Sequence, residues 1–227
     1  MSKIFIRAIA LAAICILAAC QMQQERAQGW TTLFDGSSLE AFRGYRMTNF
    51  PERGWKIEGN TLRALPGGGA DLITREQYDD FELEYEWKVS PGGNSGVFYN
   101  VAETDGPAWH TGPEIQVLDD SGHPDGRNPK TSAGSLYALF APNELKKTHP
   151  IGEFNQSRVR IKGNHVEHWL NGAKILEYEL GSQQLVEAIR NSKFRDMPRF
   201  MKEEKGHIAF QHHGQEVWFR NIRVKKL

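Results

Sequence analysis

The chain has 227 residues, with 28 basic side chains balanced by 28 acidic ones and a hydrophobic share of 39%. Those values describe a globular chain and exclude a fibre or a polytopic membrane protein. They also provide no concentrated basic footprint of the kind a nucleic-acid partner requires.

At the N-terminus, Lys3 and Arg7 precede an uncharged run from Ala8 to Ala19. This is the shape of an export signal spanning residues 1–19. At 1.5 Å per residue the run is too short to cross a hydrocarbon core of ~30 Å. Leu17-Ala18-Ala19-Cys20 resembles the lipobox of bacterial lipoproteins, which implies cleavage before Cys20 and lipidation of its thiol. Removing residues 1–19 leaves 26 basic against 28 acidic side chains. Cys15 and Cys20, the two cysteines of the chain, are then discarded or lipidated, so neither a disulfide nor a thiolate zinc site is expected. Gln21 after the cysteine implies, by the enterobacterial sorting rule, an outer-membrane lipoprotein facing the periplasm and touching the membrane only through its lipid. Residues 20–28 read as a polar tether and 29–227 as one domain without internal repeats.

Within that domain, Gly54–Glu58 and Thr61–Ala64 are short strand candidates separated by Gly59-Asn60. Phe81–Val89 alternates without a fault, which predicts a strand burying Phe81, Leu83, Tyr85, Trp87 and Val89 and showing Glu82, Glu84 and Glu86 to solvent, with Glu86, nearest the turn that bears Asn94, the candidate exception. Pro91-Gly92-Gly93-Asn94 then turns the chain into Ser95–Val101, and the pair reads as a hairpin. Glu114–Leu118 is the next strand. From Asp119 to Gly152 no period holds. Loops of that length are functional or disordered, and the apolar run Leu136–Phe140 predicts an ordered loop closing over something. Strands follow at Ser157–Lys162, His165–Leu170 and Ala173–Tyr178. A helix is predicted at Gln183–Asn191, where Leu185 and Ile189 sit four apart, and the last strands are Gly206–His213 and Glu216–Val224. Many short strands, one short helix and one long ordered loop predict an all-β sandwich or jelly roll.

Alternation also places chemistry. If Ile115 and Val117 face the core, Glu114 and Gln116 face away together. If Ile208 and Phe210 face the core, His207, Ala209, Gln211 and His213 share the opposite face, where a small Ala209 suits a concave floor. Amides for hydrogen bonds and rings for flat apolar contact suit a sugar. Glu114 is the preferred chemical acid, its rival role being a structural hydrogen bond. All eight histidines lie between His110 and His213. Solvent exposure is expected for His110, His149 and His207. His123 is either a loop residue bound to carbonyls or part of the site. His168 lies between Val166 and Leu170, so core packing competes with function, whereas His213 favours function. Trp55, Trp87 and Trp218 read as core, while Trp109 and Trp169 fit either core or platform. No HxH or HExxH spacing is present, so any metal is unassigned.

Leu33-Phe-Asp-Gly36, Asn94-Ser-Gly-Val-Phe-Tyr99, Gly112-Pro-Glu-Ile-Gln-Val-Leu-Asp119, Gly134-Ser-Leu-Tyr137, His168-Trp-Leu-Asn-Gly172, Gly206-His-Ile-Ala-Phe-Gln211 and Val217-Trp-Phe-Arg-Asn-Ile-Arg223 occur in that order. Together they resemble the 3-keto-disaccharide hydrolase family from about Trp30 to Leu227. The resemblance implies a concanavalin A-like jelly roll and cleavage of glycosides whose C3 hydroxyl has become a ketone. Asn100 stands where the family often has a basic residue, and His212 where it often has Asp. The ketone acidifies the C2 hydrogen, so a base can form an enolate, the C1 substituent can leave and water can add back. In that scheme Glu114 is a general base or metal ligand and His213 a proton donor or base. Gln116, Gln211, His123, His168, Trp169, Tyr137 and Asn94 bind substrate, and His123 and His168 are the alternative holders of a divalent cation. Laminarinase-type relatives of this fold carry Glu-x-Asp-x-Glu on one strand. Here the spacing reads Glu114-x-Gln116-x-Leu118, which keeps one acid and argues against a retaining glucanase. The alternatives are a non-catalytic carbohydrate-binding lipoprotein and a glycosidase on unmodified sugars. With no Rossmann fingerprint in the chain, a separate sugar 3-dehydrogenase is the implied functional partner.

Overall fold

A computed structural model describes residues 28–227, so the expected export signal and the lipidated Cys20 lie outside the described residues. The compact unit runs from Thr32 to Leu227. Its strands are β1 (Trp30–Phe34), β2 (Phe42–Gly44), β3 (Trp55–Glu58), β4 (Thr61–Ala64), β5 (Leu72–Thr74), β6 (Phe81–Val89), β7 (Asn94–Val101) and β8 (Glu114–Leu118). They continue with β9 (Asn155–Lys162), β10 (His165–Leu170), β11 (Ala173–Glu179), β12 (His207–Phe210) and β13 (Val217–Lys226), and helix α1 covers Gln183–Arg190.

Alternation does what it promises in β6, where burial switches at every residue and the apolar set faces inward. The larger sheet runs β11-β10-β9-β6-β13-β4-β3 with β1 also paired to β13, and the smaller runs β2-β5-β12-β7-β8. The registered pairings are antiparallel throughout. Packed face to face, the sheets form a concanavalin A-like jelly-roll sandwich. Rings close the core across the two layers: Phe210 of β12 meets Tyr85 of β6 at 6.1 Å and Phe219 of β13 at 5.1 Å, edge-on in both cases.

The predicted hairpin of β6 and β7 is not formed. β6 pairs with β9 and β13, and β7 with β8 and β12, so the Pro91–Asn94 turn carries the chain from one sheet to the other. Every residue of β7 is buried, the signature of a strand covered on both faces. A turn sequence specifies reversal of direction, whereas the hydrogen-bonding partner is chosen by burial elsewhere in the chain. β1, β2 and β5 carry no alternation that marks them in the sequence, whereas the equally short β3 and β4 are set off by the Gly59-Asn60 turn between them.

The outer face of the larger sheet is a solvated ion-pair ladder. Glu82 pairs with Arg158, Glu84 with Arg223 and Glu86 with Arg220, while the Asn221 amide donates to Glu86 at 2.7 Å. Arg220 and Asn221 therefore tie β13 to β6. Trp218, expected in the core, lies on this face beneath Lys88 and Arg63. The segment after β8 is ordered, with 3-10 turns at Pro124–Arg127 and Pro129–Thr131, and Leu136 and Leu139 are buried. It docks on β8: Tyr137 N donates to Glu114 O at 3.0 Å and Gly134 N to Gln116 O at 2.8 Å.

Candidate active site

The smaller sheet turns one face to the core, and its second face is built in rows. Ala209 stands opposite Ile73 and Phe98, and Phe98 opposite Glu114. The next row is polar. Gly96 lies opposite Gln116, and Gln211 N donates to Gly96 O at 2.8 Å. Asn94 follows on the same face, two residues from Gly96. Tyr45, Ala108 and Trp109 pack over the apolar row, so the polar row is what the face offers a ligand. The bare Gly96 makes room for Glu114, because a methyl group at this position would displace the Glu114 carboxyl group lying over β7.

Glu114 is only 9% exposed, and no donor is bonded to its carboxyl group among the described residues. Burial pushes its pKa up to about 8; Lys193 opposes that rise, and Asp71 and Asp125 add to it. Lys193, just beyond α1, sets its ammonium 4.4 Å from the centre of the Tyr137 ring and 5.3 Å from that of Trp109. Burial draws this lysine's pKa down, while Glu114 and Asp125 act against that. The Tyr137 hydroxyl donates to Asp125 at 3.0 Å. At the other side of the row, burial lifts Asp71 to about 6, against the amide N–H of His212, which donates to its Oδ1 at 2.8 Å, and the nearby His213.

Three amide oxygens complete the row. Gln116 Nε2 donates to the Thr131 carbonyl at 3.1 Å, which fixes the amide orientation and leaves Oε1 without a donor. Gln211 Oε1 and Asn94 Oδ1 are likewise buried and unpaired. Asn94 Nδ2 lies 3.5 Å from His123 Nε2, and His123 Nδ1 accepts the Asp125 N–H at 3.2 Å. An unsatisfied buried acceptor costs about 1–3 kcal/mol. Three on one face, beside a carboxyl group equally without donors, match a ligand rich in hydroxyl groups.

The sequence-predicted residues divide accordingly. Glu114, Gln116, Gln211 and Asn94 share this face, with Tyr137 and His123 on the loop beside it. His168 is not brought to them: it faces the sandwich interior from β10, donates Nδ1–H to the Gly134 carbonyl at 3.1 Å, and burial lowers its pKa to about 4. Its neighbour Trp169 points the other way, onto the outer surface of the larger sheet beneath Arg158 at 4.1 Å. Adjacent strand residues cannot serve one pocket. His213 is exposed, bonded to Gln215 at 2.9 Å, and faces Asp71. His207, expected in solvent, is buried against the Thr74 carbonyl at 2.7 Å. Asp71, Asp125, Lys193 and Gly96 were not predicted; of these only Gly96 left a signal, a bare position in line with Asn94 and Phe98.

The histidines and acids expected to hold a cation do not fit one. Among the described residues, the His, Asp and Glu ligand atoms that gather within 4.8 Å belong to His165, Glu167 and Glu177, on the larger sheet. There the Lys174 ammonium already lies 3.3 Å from Glu167 and 2.5 Å from Glu177.

Residues 29–225 match a family described as a 3-keto-alpha-glucoside-1,2-lyase-like domain. A 3-keto-disaccharide hydrolase of Bacteroides thetaiotaomicron is 36% identical over 232 residues, covering 88% of this chain and 79% of its own length. A crystal structure of a candidate glycosyl hydrolase from Parabacteroides distasonis ATCC 8503 superposes with a TM-score of 0.83 at 31% identity, covering 90% of this chain and 96% of that one. A second candidate glycosyl hydrolase from the same organism gives 0.66 at 26% identity, with coverage of 87% and 99%.

Proposed function

The chain belongs to the 3-keto-alpha-glucoside-1,2-lyase-like family, and from that membership we propose that it cleaves the glycosidic bond of 3-keto-glycosides, 3-keto-disaccharides among them. The route is loss of the C2 hydrogen, elimination of the C1 substituent and return of water to C1. The observation that carries this reading is the polar row itself. Asn94, Gln116 and Gln211 hold buried, unpaired oxygens, acceptors for hydroxyl groups, on the face that carries a buried, proton-holding Glu114. A proton-transfer group works best when its pKa lies near the working pH, and a carboxyl group at about 8 meets that condition where an ordinary one does not. Lys193 supplies positive charge beside the negative charge that grows on the C3 oxygen once the C2 hydrogen is gone. Tyr137 and Trp109 give the sugar an apolar wall, and His213 lies exposed at the rim.

The substrate must reach this enzyme already oxidised at C3, so a sugar 3-dehydrogenase acts before it. We place the enzyme at the periplasmic side of the outer membrane, held by a lipid on Cys20. The test is a paired assay of the purified protein on a 3-keto-glucoside and its parent glucoside. Aglycone released from the ketone alone is the expected result. Release from the parent would overturn the reading in favour of an ordinary glycosidase, and binding without release in favour of a lectin.

A further inference from the structure

Asp71 is the acid that reasoning from one strand leaves without a role. It sits two residues before Ile73, on the face that Ile73 shares with Ala209. Leu72 pairs with Phe210, which sets Gln211 beside Asp71, and Gln211 is bonded in turn to Gly96, under the Glu114 carboxyl group. The row therefore carries an acid at each side of Gln211, with two strand spacings of ~4.8 Å between the backbones of Asp71 and Gly96. The surroundings of the two acids differ in kind. Asp71 receives the His212 N–H and faces the His213 imidazole, both of which favour an anion. Glu114 is buried without a donor among the described residues. The charged and titratable groups facing it are Lys193, whose ammonium is turned onto the rings of Trp109, Tyr137 and Phe194, Tyr137 itself, Asp125 and Asp71.

We infer that Asp71 is the second proton-transfer residue of the site, taking the C2 hydrogen of the keto-sugar while Glu114 delivers its own proton to the leaving oxygen at C1. The inference rests on the keto-glycoside reading above. The displacement of the two pKa values, to about 6 and about 8, runs in the same direction, since paired carboxyl groups held apart in this way divide the roles of base and acid. In the first step the C2–H bond breaks, Asp71 gains the proton, and the electron pair forms C2=C3 with the charge on the C3 oxygen. In the second, C3=O re-forms, the pair moves to C1=C2, and the C1–O bond breaks with its electrons on the aglycone oxygen, which takes the proton of Glu114. Addition of water reverses both roles: Glu114 takes a proton from the water that attacks C1, and Asp71 returns one to C2. Both side chains are then restored, and the sum is hydrolysis.

The experiment compares the full-length protein with Asp71→Asn and Glu114→Gln on methyl and p-nitrophenyl 3-keto-glucosides in D2O, following deuterium entry at C2 and aglycone release. Asn at position 71 keeps an acceptor for the His212 N–H. Asp71→Asn should lose exchange and release by about 100-fold or more with either aglycone, the scale of a lost proton-transfer group. Glu114→Gln should keep exchange, lose release of methanol by a similar factor, and recover most of its release with p-nitrophenolate, which leaves without a proton. Added formate should restore exchange to Asp71→Gly. Retained exchange in Asp71→Asn, lost exchange in Glu114→Gln, or formate without effect on a folded Asp71→Gly would each overturn the assignment. Failure of the keto-glycoside reading shows separately, as an unoxidised glucoside cleaved by the unmodified protein.

Discussion

Glu114 owes its properties to what surrounds it. It starts a strand, leans over a glycine and finds no hydrogen-bond donor, so its neutral form is favoured. Because its pKa in the folded protein lies above the ordinary carboxyl value, this residue's contribution to stability is complete below the ordinary range and is lost as pH rises through about 8. Glu114→Gln stays neutral and escapes that loss. Its melting temperature should therefore exceed that of the unmodified protein at pH 8.5, by about 2–4 °C per kcal/mol relieved, with the gap closing toward pH 5. Thermal unfolding across that range checks the sign, and a variant melting lower at pH 8.5 would contradict it. Asp71 is present in both proteins, and its repulsion of an ionised Glu114 is part of the loss that the variant escapes. A second expectation concerns Gly96→Ala. The added methyl group displaces the carboxyl, so turnover should fall at least about 10-fold for an overpacking cost of about 1–3 kcal/mol, read by kinetics and denaturant titration together. At this scale the sequence was informative wherever a strand supplied a ruler. Asn94, read as the end of a turn, comes from the family resemblance, whereas Glu114, Gln116 and Gln211 follow from period two alone. Asp71 and Lys193 do not, because one precedes a three-residue strand and the other follows a helix, and neither position has a periodic neighbour to say which way it faces.

At the scale of elements, β10 shows how one strand divides its residues between two environments. His168 and Trp169 are adjacent in sequence and look alike as sugar ligands, yet one seals the interior and the other lies outside under an arginine. His168→Phe should cost about 1–3 kcal/mol, because it strands the Gly134 carbonyl, while kcat and KM below the melting transition stay unchanged. A large loss of kcat in folded protein would return this histidine to the site. The segment between β8 and β9 behaves as its apolar centre predicts, docking on the edge of β8 and bringing Tyr137 and Asp125 beside Glu114. The mistaken hairpin has the opposite origin. Local turn chemistry at Pro91–Asn94 is real, but β6 and β7 each find better-buried partners far along the chain, and pairing of that kind leaves no mark within a short window.

For the whole molecule, the sandwich explains why one protein can carry a full core between its sheets and still hold a reactive row on a second, separately covered face. The larger sheet spends its outer face on ion pairs, whereas the smaller keeps carboxyl groups and unpaired amides on its second face. Nothing in that row resembles the three alternating acids of a retaining glucanase strand, and in the proposed mechanism the substrate's own ketone activates C2. The most direct measurement is to let the unmodified enzyme cleave a 3-keto-glucoside in D2O, trap the sugar product at once by reduction, and determine the isotope at C2. Elimination followed by hydration predicts one deuterium at C2, or an unsaturated ketone with no C2 hydrogen from the substrate awaiting hydration. Retention alone also follows if Asp71 hands back the proton it took, so the contradicting result is a hydrolysed 3-keto sugar that keeps protium at C2 together with an unchanged rate when the substrate carries deuterium at that carbon.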